Sequence, residues 1–236
     1  MKLLTCTGKR MIAEGTLELS FQKPAEFVFE AGQNINLKVP ELLYEDARGP
    51  RRTFTVASAP EEPELYIATR LSDSGYKRTL LEIEPGAVFE YLGPQGSFLL
   101  EAFPHSAIFL AGGIGITPFR SMLAHAVAAG LRNTIYLLYG NARPETSAYH
   151  EWFLAQEKEA DFFHYLPTMT DLPDDHPWPG ERRWLSAGLA LERVPEAGEA
   201  IFYLCGPPKM VEALDAQLHE KEVPAQRIRS ESLWGY

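Results

Sequence analysis

The chain has 236 residues, 45% hydrophobic and 23% charged, with a net charge of −10 and a pI near 5.1. That acidity argues against a nucleic-acid partner, because phosphate backbones are held by dense basic surfaces. Two cysteines, Cys6 and Cys205, are too few for a disulfide framework, a zinc site or an iron–sulfur cluster built by this chain alone. The opening MKLLTCTGKRM has too short an apolar stretch for a signal peptide, and no run reaches the length of a membrane span. A cytoplasmic protein with no membrane span is the expectation.

In chain order, the first half carries short runs in which apolar residues alternate: Leu17, Leu19 and Phe21; Ile35, Leu37 and Val39; Leu65 and Ile67. Period two marks strands with one buried face, and the Gly, Pro and acidic clusters between them mark turns. Several such strands predict an antiparallel β-barrel. The segment from Ser74 to Gly86 is the one helix predicted in this half.

The texture changes near Phe103–Pro104. Beyond it, residues 106–111, 134–139, 162–168 and 200–204 are near-continuous apolar runs, as in parallel strands buried on both faces. Helical spacing lies between them, in Phe119 to Val127, in Tyr149 to Phe153 and in Met210 to Leu218. Strand and helix in alternation predict a doubly wound α/β sheet. The expected organisation is two domains, a barrel over residues 1–103 and an α/β domain over 104–236.

Three motifs carry chemistry. In LAGGIGITPFRSML a buried strand runs into Gly112, Gly113 and Gly115, after which Thr117 as N-cap and Pro118 as first helical residue open a helix. Glycines allow close backbone approach to a phosphate, and the N–H groups at a helix start face it. A ligand-free strand–helix turn has the same signature. Pro118 stands where a third glycine is expected and no acidic residue follows about 20 positions on, so this is not the usual dehydrogenase fingerprint. In YLCGPPKM a strand ends at Cys205, Gly206 turns, and Pro207 and Pro208 lead into a helix. Cys205 can pack against a cofactor ring at such a strand end, or be a buried structural thiol. In RTFTVAS, Arg52, Phe54 and Thr55 place a cation, a ring and a hydroxyl within four positions, suited to a phosphate-bearing flat heterocycle. Alternation alone would give an exposed Arg beside a barrel-core Phe.

RTFTVAS (Arg52 to Ser58) resembles the Arg-x-Tyr-Ser-x-x-Ser strand of the ferredoxin–NADP reductase family, and AGGIGITP and CGPP resemble that family's nicotinamide-domain motifs. The AGQ turn (Ala31 to Gln33) and GPQGSF (Gly93 to Phe98) are two further matches, and all five occur in the family's order. The resemblance implies a flavin-binding barrel followed by a nicotinamide-binding domain. It implies FAD in preference to FMN, with NADH or NADPH as hydride donor. Arg52 would contact the flavin pyrophosphate, Phe54 the isoalloxazine, and Thr55 would bond near flavin N5, with Ser58 closing the motif. Backbone amides over Gly75, Tyr76, Lys77 and Arg78 would meet the flavin phosphates, although SGYKRTL departs from the family's Gly-Gly-x-x-Ser. Thr117 would sit by the nicotinamide nucleotide and Cys205 beside its ring.

The ending ESLWGY resembles members whose last residues place an acid and an aromatic near the flavin, which makes Glu231, Trp234 and Tyr236 candidates against the alternative of a frayed end. Thr55, Cys205 and Glu231 are the residues expected at the reacting atoms. Thr170-Asp171 falls where NADPH-using relatives carry Ser-Arg, and a carboxylate there favours NADH, with Arg143 as partial compensation. The expected acceptor is a ferredoxin, a flavodoxin or an oxygenase component. The alternatives are a reductase releasing free reduced flavin, an electron-transfer subunit of a larger complex, and a nucleotide-binding sensor without turnover.

Overall fold

A computed structural model of the protein describes residues 2–101, 105–131 and 133–234. The chain divides into two compact units. One runs up to Leu100 and includes Thr117–Ala128; the other comprises Glu101–Ile116 and the chain from Ala129 onward. The expected boundary at 103/104 falls on residues outside the described set.

In the first unit, β1 (Lys2–Ala13), β2 (Thr16–Gln22), β3 (Asn34–Lys38), β4 (Arg51–Thr55), β5 (Glu64–Arg70) and β6 (Val88–Gln95) form a sheet in the order β4-β3-β6-β1-β2-β5. All its pairings are antiparallel. A single bridge, Val56 to Ile67, joins the end of β4 to β5 and brings the two edges of the sheet together as a barrel. Closure removes the unpaired edge that an open sheet would present. Phe21, Phe27, Ile35, Leu37, Val56, Tyr76 and Phe89 fill the interior, all nearly without exposure. Phe21 and Phe89 meet edge to face at 5.2 Å.

The alternation of β2, β3 and β5 stands as expected. Strand β1 shows no such period, because its register shifts between Cys6 and Gly8 and again between Met11 and Ala13, and each bulge turns its side chains to the other face. Helix α1 (Gly75–Glu82) begins where expected and stops one turn earlier than Gly86. Helix α2 (Thr117–Ala128) also belongs to this unit. Arg120 donates to the Glu62 carboxylate and the Ala57 carbonyl, Ser121 Oγ donates to the Ser58 carbonyl at 2.6 Å, and His125 Nδ1 lies 2.8 Å from Glu61.

The second unit is a parallel sheet of β7 (Ala107–Gly112), β8 (Ile135–Asn141), β9 (Phe163–Met169), β10 (Ile201–Gly206) and β11 (Ile228–Ser232), in the order β11-β10-β7-β8-β9. Helices α3 (His150–Glu159), α4 (Ala187–Arg193) and α5 (Pro208–Glu220) lie between its strands in sequence. Every residue of β7 and β10 is buried, which is why these runs lack alternation. Strand order reverses at β7, so the carboxyl end of β7 is the switch point at which such sheets bind ligands. The chain rejoins the sheet at β11, an edge strand that the apolar pattern passes over because none of its five residues is fully buried.

Replacing Phe89 by Ala should cost about 3–5 kcal/mol, since it empties a fully enclosed ring position opposite Phe21. Urea unfolding of the two proteins measures the difference.

Candidate functional site

Arg52 and Phe54 face inward on β4, opposite Leu37 and Ile35 of β3, while Thr53 faces out. Phe54 is 9% exposed and lies 5.9 Å from the Tyr76 ring, within the barrel core. Tyr76 donates its hydroxyl to the Leu37 carbonyl at 3.0 Å, and burial holds that hydroxyl far above the ordinary tyrosine range. Thr55 is buried opposite Asn34. Ser58 accepts the Tyr66 amide on Oγ at 3.1 Å, which fixes the strand end where the barrel closes.

The Arg52 side chain is also enclosed. One guanidinium nitrogen donates to the carbonyls of Arg48, Gly49 and Arg51 at 2.7–3.2 Å, and the other to Asp46 Oδ1 at 2.5 Å. The guanidinium carbon lies 5.0 Å from the Tyr76 ring centroid. Asp46 accepts the Arg48 amide on Oδ1 and the Tyr76 amide on Oδ2, both at 2.9 Å. Burial works to raise the Asp46 carboxyl, and the amides of Tyr76 and Arg48 with the Arg52 guanidinium outweigh it, so the group titrates below the usual carboxylate range.

Ser74 caps α1, accepting the Lys77 amide on Oγ at 3.3 Å. Gly75 is required by contact: a Cβ there would lie 2.2 Å from the Glu45 carbonyl oxygen. Lys77 is buried, and burial, with the charges of Arg52 and Arg48, lowers its ammonium. Arg78 is exposed and stacks over Tyr44 at 3.9 Å. The fold therefore brings Arg52 and the first turn of α1 onto one anion, Asp46, a residue the sequence reading passed over. This donor set is of the kind that holds an anion such as a carboxylate or a phosphate.

In the second unit, β7 passes into a 3-10 turn at Gly113–Ile116 before α2 begins. Thr117 is thus already inside the helical stretch rather than an N-cap as expected, because the preceding turn supplies the first helical bonds; Pro118 follows it, and both are buried. Gly113 has φ of 52° and accepts the Tyr139 hydroxyl at 3.0 Å. A Cβ on Gly112 would lie 2.2 Å from Met210 Sδ, and one on Gly115 would lie 2.3 Å from the Cys205 carbonyl oxygen. Gly206 faces Gly112 in the same way. The two glycine motifs are therefore packed directly against each other, with Pro207 beside Gly112.

Cys205 is completely buried, in register with Ala111 and Glu231. Burial, and then the Glu231 charge, push its thiol well above the usual range, so it is held protonated and is a poor nucleophile. Trp234 is 77% exposed just beyond β11, and Tyr236 lies outside the described residues.

At the carboxyl ends of β8 and β9, Asn141 and Thr168 are buried, and among the described residues Asn141 Nδ2, Asn141 Oδ1 and Thr168 Oγ1 have no hydrogen-bond partner. Orphaned polar atoms at this edge of a parallel sheet suit a polar ligand such as a nucleotide. The signal was present in the sequence, as the first polar residues ending two apolar runs. Arg143 and Asp171 are exposed on the two loops that follow, and the Asp171 amide donates to Ala142 at 2.9 Å. Among the described residues there is no cluster of side chains able to hold a metal, and no helix long and apolar enough to cross a membrane.

A closed antiparallel barrel followed by a five-stranded parallel sheet with glycine motifs at its switch point is a two-unit architecture whose second sheet is of the nucleotide-binding type. Residues 109–216 match the family described as oxidoreductase NAD-binding domain. The chain is 30% identical over 225 residues to ferredoxin–NADP reductase B of Sorangium cellulosum, covering 91% of this chain and 90% of that protein. It belongs to the ferredoxin–NADP reductase-like family. Phenol hydroxylase P5 protein of Acinetobacter pittii is 29% identical over 91% of this chain, which spans 61% of that relative's length. Among solved structures, the Amycolatopsis cytochrome P450 reductase GcoB has a TM-score of 0.81 at 25% identity, covering 98% of this chain and 69% of that one. A ferredoxin NADP+ reductase from Neisseria gonorrhoeae with bound FAD and NADP has a TM-score of 0.80 at 19% identity, a likeness of fold that covers 98% of both chains.

Two outcomes follow from this geometry. Gly115→Ala should destabilise by about 1–3 kcal/mol or more in chemical denaturation, as its Cβ meets rigid backbone. The depressed Asp46 carboxyl stabilises the fold above the unfolded carboxylate value, and that contribution is lost as pH falls through its folded value. Melting temperatures of the wild type and Asp46→Asn should therefore converge as pH is lowered below about 4.

Proposed function

We propose that the chain passes a hydride from NAD(P)H to a bound FAD and hands the electrons on to a protein acceptor: a ferredoxin, a flavodoxin or an oxygenase component. The observation that carries this reading is the convergence of Arg52 and the first turn of α1 on a single anion, within a member of a reductase family. The oxygenase components among the relatives support the acceptor class, including the toluate 1,2-dioxygenase electron transfer component of Pseudomonas putida at 25% identity. When bound, the nicotinamide supplies the hydride and the flavin accepts it; the protein holds and orients both.

Residues 1–103 are assigned to the flavin and 104–236 to the nicotinamide, with α2 packed on the barrel. Arg52 and the amides of Gly75 to Arg78 neutralise the flavin phosphates, and Thr55 and Ser58 border the ring, while Phe54, expected there from the sequence, packs behind them in the barrel core. Gly112, Gly113, Gly115, Thr117 and Pro118, with Cys205, Gly206 and Pro207, shape the nicotinamide side. Glu231, Trp234 and Tyr236 belong to the terminal segment assigned to the rings. No general base is needed for hydride transfer, in keeping with a protonated, enclosed Cys205 thiol. Asp171 sets the nucleotide preference towards NADH by repelling an added phosphate, with Arg143 on the neighbouring loop opposing it.

The test is anaerobic reduction of the FAD-loaded protein by NADH and NADPH in parallel, followed by a screen of acceptor proteins. NADH should bleach the flavin faster, and Asp171→Asn should narrow the difference by about tenfold. Protein that retains no flavin when offered an excess refutes the reading; flavin that no nicotinamide reduces refutes the hydride route.

A further inference from the structure

We propose that Asp46 is an internal stand-in for the flavin phosphate, which the cofactor displaces as it binds. The inference rests on the flavin reading above and adds a residue that sets how tightly phosphate-bearing flavins are held.

The Asp46 carboxylate makes the contacts a phosphate group would make. One oxygen takes the Arg52 guanidinium at 2.5 Å and the Arg48 amide at 2.9 Å, and the other takes the Tyr76 amide at 2.9 Å in the first turn of α1. Both side chains of the ion pair are more than nine-tenths buried. A phosphate cannot reach Arg52 while this pair is closed, and a carboxylate left facing a phosphate at that distance would repel it.

Two features favour exchange over permanent closure. Asp46 lies outside any strand, in a turn closed by the Gly49 amide on its own carbonyl at 2.9 Å, so its side chain can swing without breaking a sheet ladder. The charges of Arg52 and Arg48 both act on the buried Lys77, so three cations lie near one another at this seat. A phosphate carrying up to two negative charges suits such a set better than one carboxylate.

The experiment measures dissociation constants of FAD, FMN and riboflavin for the wild type and Asp46→Asn, by quenching of flavin fluorescence. FMN differs from riboflavin by the phosphate alone. Asp46→Asn should bind FAD and FMN about tenfold tighter or more and leave riboflavin within about threefold. Equal affinities in the two proteins, or equal tightening of riboflavin, overturn the inference and leave the flavin reading intact. Absence of binding of all three flavins to both proteins overturns the flavin reading and the inference with it.

A second measurement needs no variant. In the wild type, the Asp46 carboxyl, held below the usual carboxylate range against burial by the two amides and Arg52, should return to that range when FAD is bound and stay depressed with riboflavin, as read from its side-chain carbonyl resonance by NMR titration. An Asp46 carboxyl that stays depressed with FAD bound overturns the displacement.

Discussion

The ion pair between Asp46 and Arg52 holds together the corner of the barrel where strand β4 meets helix α1. Two opposite charges, each almost sealed from water, must satisfy one another and nearly every remaining donor and acceptor. They do so through the carbonyls of Arg48, Gly49 and Arg51, the Arg48 amide and the Tyr76 amide, so the turn at 46–50, strand β4 and helix α1 are fixed as one block. Removing one partner of such a pair commonly costs about 3–5 kcal/mol, because the other is left buried and uncompensated. The carboxylate also sits where the α1 dipole favours negative charge. One local arrangement thus serves stability and is the seat proposed above for the flavin phosphate.

The second unit is governed by close backbone approach instead of charge. The turn after β7 and the turn after β10 occupy the same space, and Gly112, Gly115 and Gly206 are what allow it. Any side chain at Gly115 would strike the Cys205 carbonyl, a rigid atom of a fully enclosed strand. Close packing alone is enough to require glycine at these positions. The polar atoms left unmatched among the described residues at the ends of β8 and β9 lie along the same edge of the sheet.

Helix α2 connects these two themes along the chain. It begins in the motif that ends β7, yet its side chains serve the barrel: Arg120 is buried against Glu62 and Ala57, and Ser121 is bonded to Ser58 within the RTFTVAS segment. The glycine motif after β7 and the RTFTVAS segment are consequently supported by neighbouring stretches of one sequence.

The sequence by itself determined the barrel strands β2, β3 and β5, the four buried strands β7 to β10, and the helices α1, α2, α3 and α5, because period two, unbroken apolar runs and 3.6-residue spacing are local properties. It determined the family too, through five short motifs whose order survives wide divergence. Tertiary structure alone decided which strands lacking a clean period join the sheets, as in bulged β1 and exposed-edge β11. It decided that Phe54 faces the core, that Thr117 follows a 3-10 turn, and that α2 belongs with the barrel. It also chose Asp46 as the partner of Arg52 and of the Tyr76 amide, 30 positions away. A carboxylate in a polar loop carries no local sign of burial; its role exists only once helix and strand converge on it.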